Sequence, residues 1–165
     1  MPRIGLTPRR RTIGIARVPD PHRLRAPEGR PPMVIEAGER FYFKAEGPSH
    51  DPRDLLVSRA DETPSAPVDA RPDDLDVALA LERVEAVTAL GLRSVRTSWA
   101  GLRTFVPDRR PVVGALPGHP GFWFVAGQGG SGIESAPALA QLAAGVVRGA
   151  VPPPDLAPDR LLRSM

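Results

Sequence analysis

This 165-residue sequence predicts a mixed α+β fold. Short β-branched or aromatic runs recur between proline- and glycine-rich turns, and one amphipathic helix interrupts them near the middle. The chain then closes on a strand, a glycine turn and an alanine-rich helix, an α/β ending. The 21 prolines and 16 glycines require many turns and short elements. At this length the chain can form one domain with a sizeable core.

"RTIGIARV" (11–18) is β-branched and reads as a strand, followed by a proline-rich loop from Pro19 to Pro32. "MVIEAG" and "RFYFKAE" form a hairpin about Gly38-Glu39. "GPSHDPRD" (47–54) is a loop, "LLVSRA" a strand, and "ETPSAPVDARP" a linker that delivers the chain to Asp73. Asp73 reads as a helix N-cap, and Val77, Leu81, Val84 and Val87 follow at three- and four-residue spacing, with Glu82 and Arg83 on another face. That helix, about 73–90, ends near Gly91. Strand pieces return at "SVRTSWAG", "RTFVP", "PVVGAL" and "GFWFVAG". A helix from about Ile133 to Arg148 comes next, and "VPPPDLAP" breaks it before a short tail. No internal repeat is visible.

Composition removes several function classes. The hydrophobic share of 41% and charged share of 25% are ordinary for a soluble globular protein. The chain has no cysteine, which excludes disulfides and thiolate zinc sites and favours a cytoplasmic setting. His22, His50 and His119 sit in proline-rich, loop-like settings without metal-ligand spacing. No window approaches the ~18 apolar residues of a membrane span, and the N-terminus has no apolar signal-peptide core. The net charge is +3, but the first thirty residues hold eight arginines against Asp20 and Glu28, a balance of +6, leaving −3 for the rest. A basic arm can meet nucleic acid, yet no stacking aromatic lies within it. The expectation is a solvated face with one arginine turned inward.

"GQGGSG" (127–132) matches G-x-G-x-x-G between a strand and a helix, the pattern of a dinucleotide-binding turn. Such a turn opens a βαβ unit with a second parallel strand and an acidic residue about 20 positions on. Here that position falls on Pro152-Pro153-Pro154, which cannot form a central strand, so Asp155 cannot serve the ribose. The turn is therefore not a pyrophosphate loop. Its glycines would still let backbone approach a ligand closely, and the following helix presents free amides and a positive dipole end. A packing turn is the alternative.

The turn stands with other segments. Trp99-Ala100-Gly101-Leu102-Arg103, the P-D-x-x-P-V-V-G run from Pro107 to Gly114, and Gly127-x-Gly129-Gly130-x-Gly132-Ile133 occur in fixed order, with "GLTPRRRT" (5–12), "FYFK" (41–44) and "ADETP" (60–64) upstream. Together they resemble the C-terminal half of the FAD-dependent D-amino acid oxidase and glycine oxidase superfamily, in its D-arginine dehydrogenase-like branch. The resemblance covers nearly the whole chain. It implies a mixed-sheet substrate domain over 1–98, a return over 99–150 into a Rossmann-type FAD domain whose N-terminal half is absent, and a tail over 151–165. The glycine turn would then lie beneath the flavin ring.

By the same resemblance Arg103 faces the substrate carboxylate, Arg11 supplies a second substrate-site arginine, and Tyr42 is a pocket tyrosine whose hydroxyl touches the carboxylate. Gln128 lies between flavin and substrate, and Arg9 and Arg10 face solvent. Gly101, Gly127, Gln128, Gly129, Gly130, Ser131, Gly132 and Ile133 line the flavin. For Arg11, Tyr42, Arg103 and Gln128 a structural role as ion pair, core filler or turn residue is the alternative. The implied chemistry is oxidation of an amino acid amine by hydride transfer to flavin, giving an imino acid that water hydrolyses. It needs no Ser/His/Asp set and no paired carboxylates, and the chain shows neither.

The family begins with a true G-x-G-x-x-G loop, whereas the first thirty residues here contain only Gly5, Gly14 and Gly29. The leading expectation is thus a C-terminal portion, inactive alone. The alternatives are a short subunit completed by a separate N-terminal FAD-binding polypeptide, and an amino-acid-binding module without redox chemistry. Nucleic-acid binding, which would show steep salt dependence, ranks last. The resemblance also implies that the "FWFVAG" stripe is left partly exposed.

Overall fold

The computed structural model describes residues 4–24, 32–46 and 51–162, so His50 and parts of the loops expected over 19–32 and 47–54 lie outside the described residues. The chain divides into two compact units. One comprises Arg10–Thr63 and Pro67–Leu102, the other Met1–Arg9, Pro64–Ala66 and Arg103–Met165.

The first unit is built on a sheet whose central strand is β1 (Thr7–Arg17), with six consecutive buried residues from Arg11 to Ala16. A strand buried on consecutive residues is covered on both faces. β2 (Val34–Ile35), β3 (Tyr42–Ala45) and β4 (Asp54–Ser58) follow, and the sheet order is β2-β3-β4-β1-β5, with β5 at Thr63–Pro64 and β6 (Val95–Phe105) also paired to β1. The hairpin about Gly38-Glu39 forms as its sequence predicts, with Val34 opposite Phe43 and Ile35 opposite Tyr42. β3 and β4 are antiparallel, as are β1 and β4. Two expectations are corrected. "SVRTSWAG" and "RTFVP" form the single strand β6, which runs through Gly101-Leu102 unbroken, and the 62–72 linker contains β5.

Helix α1 (Asp74–Thr88) starts where expected, because Asp73 accepts hydrogen bonds from the free amides of Leu75 and Asp76. It lies on a core of Ala16, Val18, Phe41, Phe43, Leu55 and Val57, to which it contributes Ala80 and Val84. Each fully buried Leu or Val is worth about 1.5–3 kcal/mol relative to exposure. The buried stripe is rotated from the one the apolar spacing predicts. Val84 is buried and Leu81 packs against the core, but Val87 is 63% exposed while Asp76 turns inward. Two arginines hold Asp76 there, Arg10 at 2.8 Å and Arg59 at 3.1 Å.

In the second unit β7 (Val112–Ala115) and β8 (Trp123–Ala126) form an antiparallel pair. The pleat sends Val112 and Val113 to opposite faces. Val112 packs with Ile4, Val106 and Leu161 of α3 (Asp159–Leu162), and Val113 packs with Leu139 and Val146 of α2 (Gly132–Val147). The "VPPPDLAP" segment returns to β7, where the Val113 amide donates to Leu156 O at 2.9 Å.

α2 covers Val113 but leaves its cross-strand partner Val125 47% exposed, beside exposed Phe122 and Trp123. Among the described residues no strand other than β7 pairs with β8. An open strand edge beside exposed aromatics favours edge-to-edge association. In light scattering the chain is expected to run above its 17.7 kDa monomer mass, and Val125→Lys to return it towards monomer. No helix among the described residues is long and apolar enough to cross a membrane.

Candidate functional site

The candidate residues fall into two groups, one in each unit. In the first, β1 turns Arg11 inward, where only 8% of the residue is exposed. Its Nε donates to Asp61 O at 2.7 Å, and its Nη2 lies 3.4 Å from a Glu62 oxygen. The guanidinium carbon is 5.9 Å from the centre of the Tyr42 ring, at the edge of cation–π range. Pairing brings the two together: Tyr42 sits opposite Ser58 across β3–β4, and Ser58 Oγ donates to Thr12 O at 2.7 Å. Arg10 corrects an expectation. It does not face solvent, because Asp76 and Asp73 draw its guanidinium inward and leave the side chain 23% exposed. Arg9 is half-buried as well.

In the second unit, β6 delivers Arg103 and Phe105 against the glycine turn. Gly129 takes φ +55, and its amide donates to Thr104 O at 3.0 Å. A Cβ there would lie 2.4 Å from Phe105 Cε1, so only glycine fits. A Cβ on Gly130 would lie 2.7 Å from Arg103 Nη1, which places that guanidinium on the turn itself. Arg109, 4.2 Å over the Phe105 ring, backs the packing from outside. Arg103 is half-buried and has no hydrogen bond or ion pair with any described residue.

α2 begins directly after this turn. Its N-cap, Ser131, makes no side-chain bond to the first-turn amides. Those amides are therefore open donors at the positive end of the helix dipole, with Glu134 in the first turn as a partial offset. Gln128 is half-buried and its carbonyl accepts from the Ser131 amide. Ile133 is 96% exposed. Gly101 lies in β6 with open space where its side chain would be. A pocket of about 470 Å³ lies elsewhere, between Val151, Pro152, Pro154, Ala157, Asp159 and Arg160, and no candidate residue lines it.

Several neighbours are absent from the sequence-predicted site residues. Asp61, Thr12 and Glu62 surround Arg11, and Phe105 and Arg109 support the turn. Thr12 lies in "GLTPRRRT", Asp61 and Glu62 in "ADETP" and Arg109 in the Pro107–Gly114 run, all segments with family character, whereas Phe105 lies in none.

The sequence pattern of a family described as FAD dependent oxidoreductase matches residues 2–146. The chain belongs to the FAD-dependent oxidoreductase family. Within it the chain is 34% identical over 128 residues to a glycine oxidase of Pseudomonas putida, covering 78% of this chain and 33% of that relative. A Pseudomonas aeruginosa glycine oxidase is 30% identical over the same shares. The chain therefore spans about a third of the length of these relatives. Its fold matches an L-proline dehydrogenase from P. horikoshii at TM-score 0.76 and 19% identity, covering 99% of this chain and 42% of that one. It matches a glycine oxidase from Geobacillus kaustophilus at TM-score 0.71 and 22% identity, covering 89% and 36%.

The second group fits the cofactor that this family uses. A flat, electron-accepting ring system needs a surface without side-chain bulk and with donors for developing negative charge. Gly129, Gly130 and Gly132 would keep the backbone of the turn free of side chains, and the open amides of α2 would offer the donors.

Proposed function

We propose that this chain is the substrate-binding and flavin-facing portion of an oxidoreductase that oxidises the amine of an amino acid, of the D-amino acid dehydrogenase type. The carrying observation is Arg103, a half-buried cation with no hydrogen bond or ion pair to any described residue, whose guanidinium lies against Gly130 of the glycine turn. A cation kept so close to a backbone surface, and spared from ion pairs, suits a ligand anion. Its planar fork would clamp the amino acid carboxylate and orient the α-carbon. In the other unit Arg11 and Tyr42 would be substrate-binding residues in their own right, and Gln128 would lie between flavin and substrate. FAD, when bound, would supply the electron acceptor. The turn and α2 would stabilise the negative charge that accumulates there. On this reading residues 1–98 make the substrate side and 99–150 the flavin side. The activity would then be that of a longer assembly, either as one polypeptide or with a separate N-terminal FAD-binding chain, and the absence of cysteine fits a cytoplasmic setting.

The test is flavin retention. The chain is mixed with FAD and freed of excess by gel filtration, and the visible flavin band is followed. Without the rest of the fold the expected result is no retention by the chain alone. Adding the preceding two thirds of a relative's fold should restore a bound flavin that glycine or a D-amino acid bleaches, and Arg103→Ala should abolish the bleaching. A restored flavin indifferent to Arg103 would sink the assignment. The buried Arg11 beside half-buried Tyr42 favours a second reading, an amino-acid-binding module, in which calorimetry would detect amino acid binding without flavin.

A further inference from the structure

We propose that Asp61 is the positioning residue for Arg11, and that its carboxyl holds a proton shared through the Thr12 hydroxyl with Asp76. The functional meaning rests on Arg11 as a substrate-site arginine, but the geometry stands by itself. Asp61 grips two consecutive residues of β1: its carbonyl accepts Arg11 Nε at 2.7 Å and its Oδ1 accepts the Thr12 amide at 2.8 Å. Ser58 completes the bracket by donating to Thr12 O and accepting from the Ala60 amide. The intervening Ala60 takes φ +56, which closes the turn tightly. Arg11 therefore cannot keep its direction if Asp61 moves.

The carboxyl of Asp61 is fully covered, with a side-chain exposure of 0%. Thr12 Oγ1 lies 3.3 Å from Asp61 Oδ2 and 3.4 Å from Asp76 Oδ2. Both distances are long for O–H···O bonds, as befits one hydroxyl between two acceptors. A hydroxyl carries a single hydrogen and can satisfy only one carboxylate. A proton on Asp61 resolves the conflict: Asp61 donates to Thr12, and Thr12 donates to Asp76.

The surrounding charges decide which acid takes the proton. From β1, Arg10 gives its short contact to Asp76 and keeps its Nε 3.9 Å from Asp61. From the 58–62 turn, Arg59 also pairs with Asp76, and Glu62 lies beside Arg11. From α1, Asp73 meets Arg10 at 3.4 Å. Asp76 thus has two close cations, whereas the contact Asp61 makes with Arg10 is the longer one, at 3.9 Å. Burial pushes the Asp61 carboxyl above the ordinary carboxylate range and the charge of Asp76 adds to the rise, against the lowering effects of the Thr12 amide and of the Arg11 charge.

A carboxyl raised in the folded state contributes stability that is complete below its unfolded pKa and is lost as pH rises through its folded pKa. Asp61→Asn mimics the protonated acid, since its Oδ1 can accept the Thr12 amide and its Nδ2 can donate to Thr12 Oγ1. In urea titrations of the full chain across pH, the unmodified chain should lose stability with rising pH relative to Asp61→Asn. By NMR, hydrogen exchange at Arg11 Nε should stay within about twofold in Asp61→Asn and accelerate about tenfold or more in Asp61→Ala, the scale of one lost hydrogen bond. Parallel pH profiles for the unmodified chain and Asp61→Asn, or unchanged Arg11 exchange in Asp61→Ala, would overturn the proposal. If Asp61→Ala does not fold, the Asp61→Asn profile still decides. Neither measurement uses flavin or amino acid, so failure of the oxidoreductase reading leaves this result intact.

Discussion

Asp76→Ala is expected to lower folding stability by about 3 kcal/mol, at the low end of the ~3–5 kcal/mol seen when one partner of a buried ion pair is removed. The Asp76 side chain is 6% exposed and receives Arg10 at 2.8 Å and Arg59 at 3.1 Å. Alanine would leave both guanidinium groups facing an apolar helix surface. Arg10 would fall back on Asp73 at 3.4 Å and Asp61 at 3.9 Å, whereas Arg59 would lose its 3.1 Å contact. The two side chains keep 23% and 25% of their exposure, and solvent screening is why the low end is expected. Urea denaturation should show a lower midpoint with an unchanged slope. The exposed neighbour Asp74, changed to alanine, should stay within about 1 kcal/mol, the scale of a helix-dipole contact. Adding Arg59→Met to Asp76→Ala should recover part of the loss, because the unpaired charge then leaves with its partner.

The same residue marks where the sequence stops being legible. Asp73 declares itself as an N-cap, because its role depends on amides two and three residues away. Asp76 does not, because its partners are Arg10 and Arg59, and apolar spacing assigns the inward face to Val87 instead. Ion pairs formed across the fold override a weak amphipathic pattern. Arg10 misleads for the same reason: arginine in a run of three reads as solvated until acids arrive from α1. Gly101 reads as a break between strands, yet β6 passes through it, since nothing near it demands a turn. In the candidate site the glycine turn and Arg103 are legible as a motif, since contiguous glycines constrain backbone directly. The bracket on Arg11 and Thr12 is invisible, because it is made by the main-chain carbonyl and the carboxyl group of Asp61, about fifty positions away.

Gly129→Ala is expected to destabilise the unit that holds the glycine turn by roughly 2–5 kcal/mol, the sum of a left-handed backbone penalty and overpacking. The position has φ +55, and the added methyl would sit 2.4 Å from Phe105 Cε1, with Cδ1 and Cζ also within 3.0 Å. Phe105 cannot step aside, because it is buried and Arg109 lies over its ring at 4.2 Å. The turn must therefore open, at the cost of the Gly129 amide bond to Thr104 O. Two neighbours separate the contributions. Gly118→Ala, at φ +74 with nothing within 4 Å, should show only the backbone penalty of about 1–2 kcal/mol. Gly130→Ala meets only the mobile end of Arg103, at 2.7 Å from Nη1, and should stay within about 1 kcal/mol while displacing that guanidinium from the turn. If flavin bleaching in the reassembled protein depends on Arg103, Gly130→Ala must weaken it with little change in the unfolding midpoint. Gly129→Ala should move the midpoint first. Equal losses of stability in the two variants would mean that Arg103 is wedged into the packing of the turn, and not held over it for a ligand.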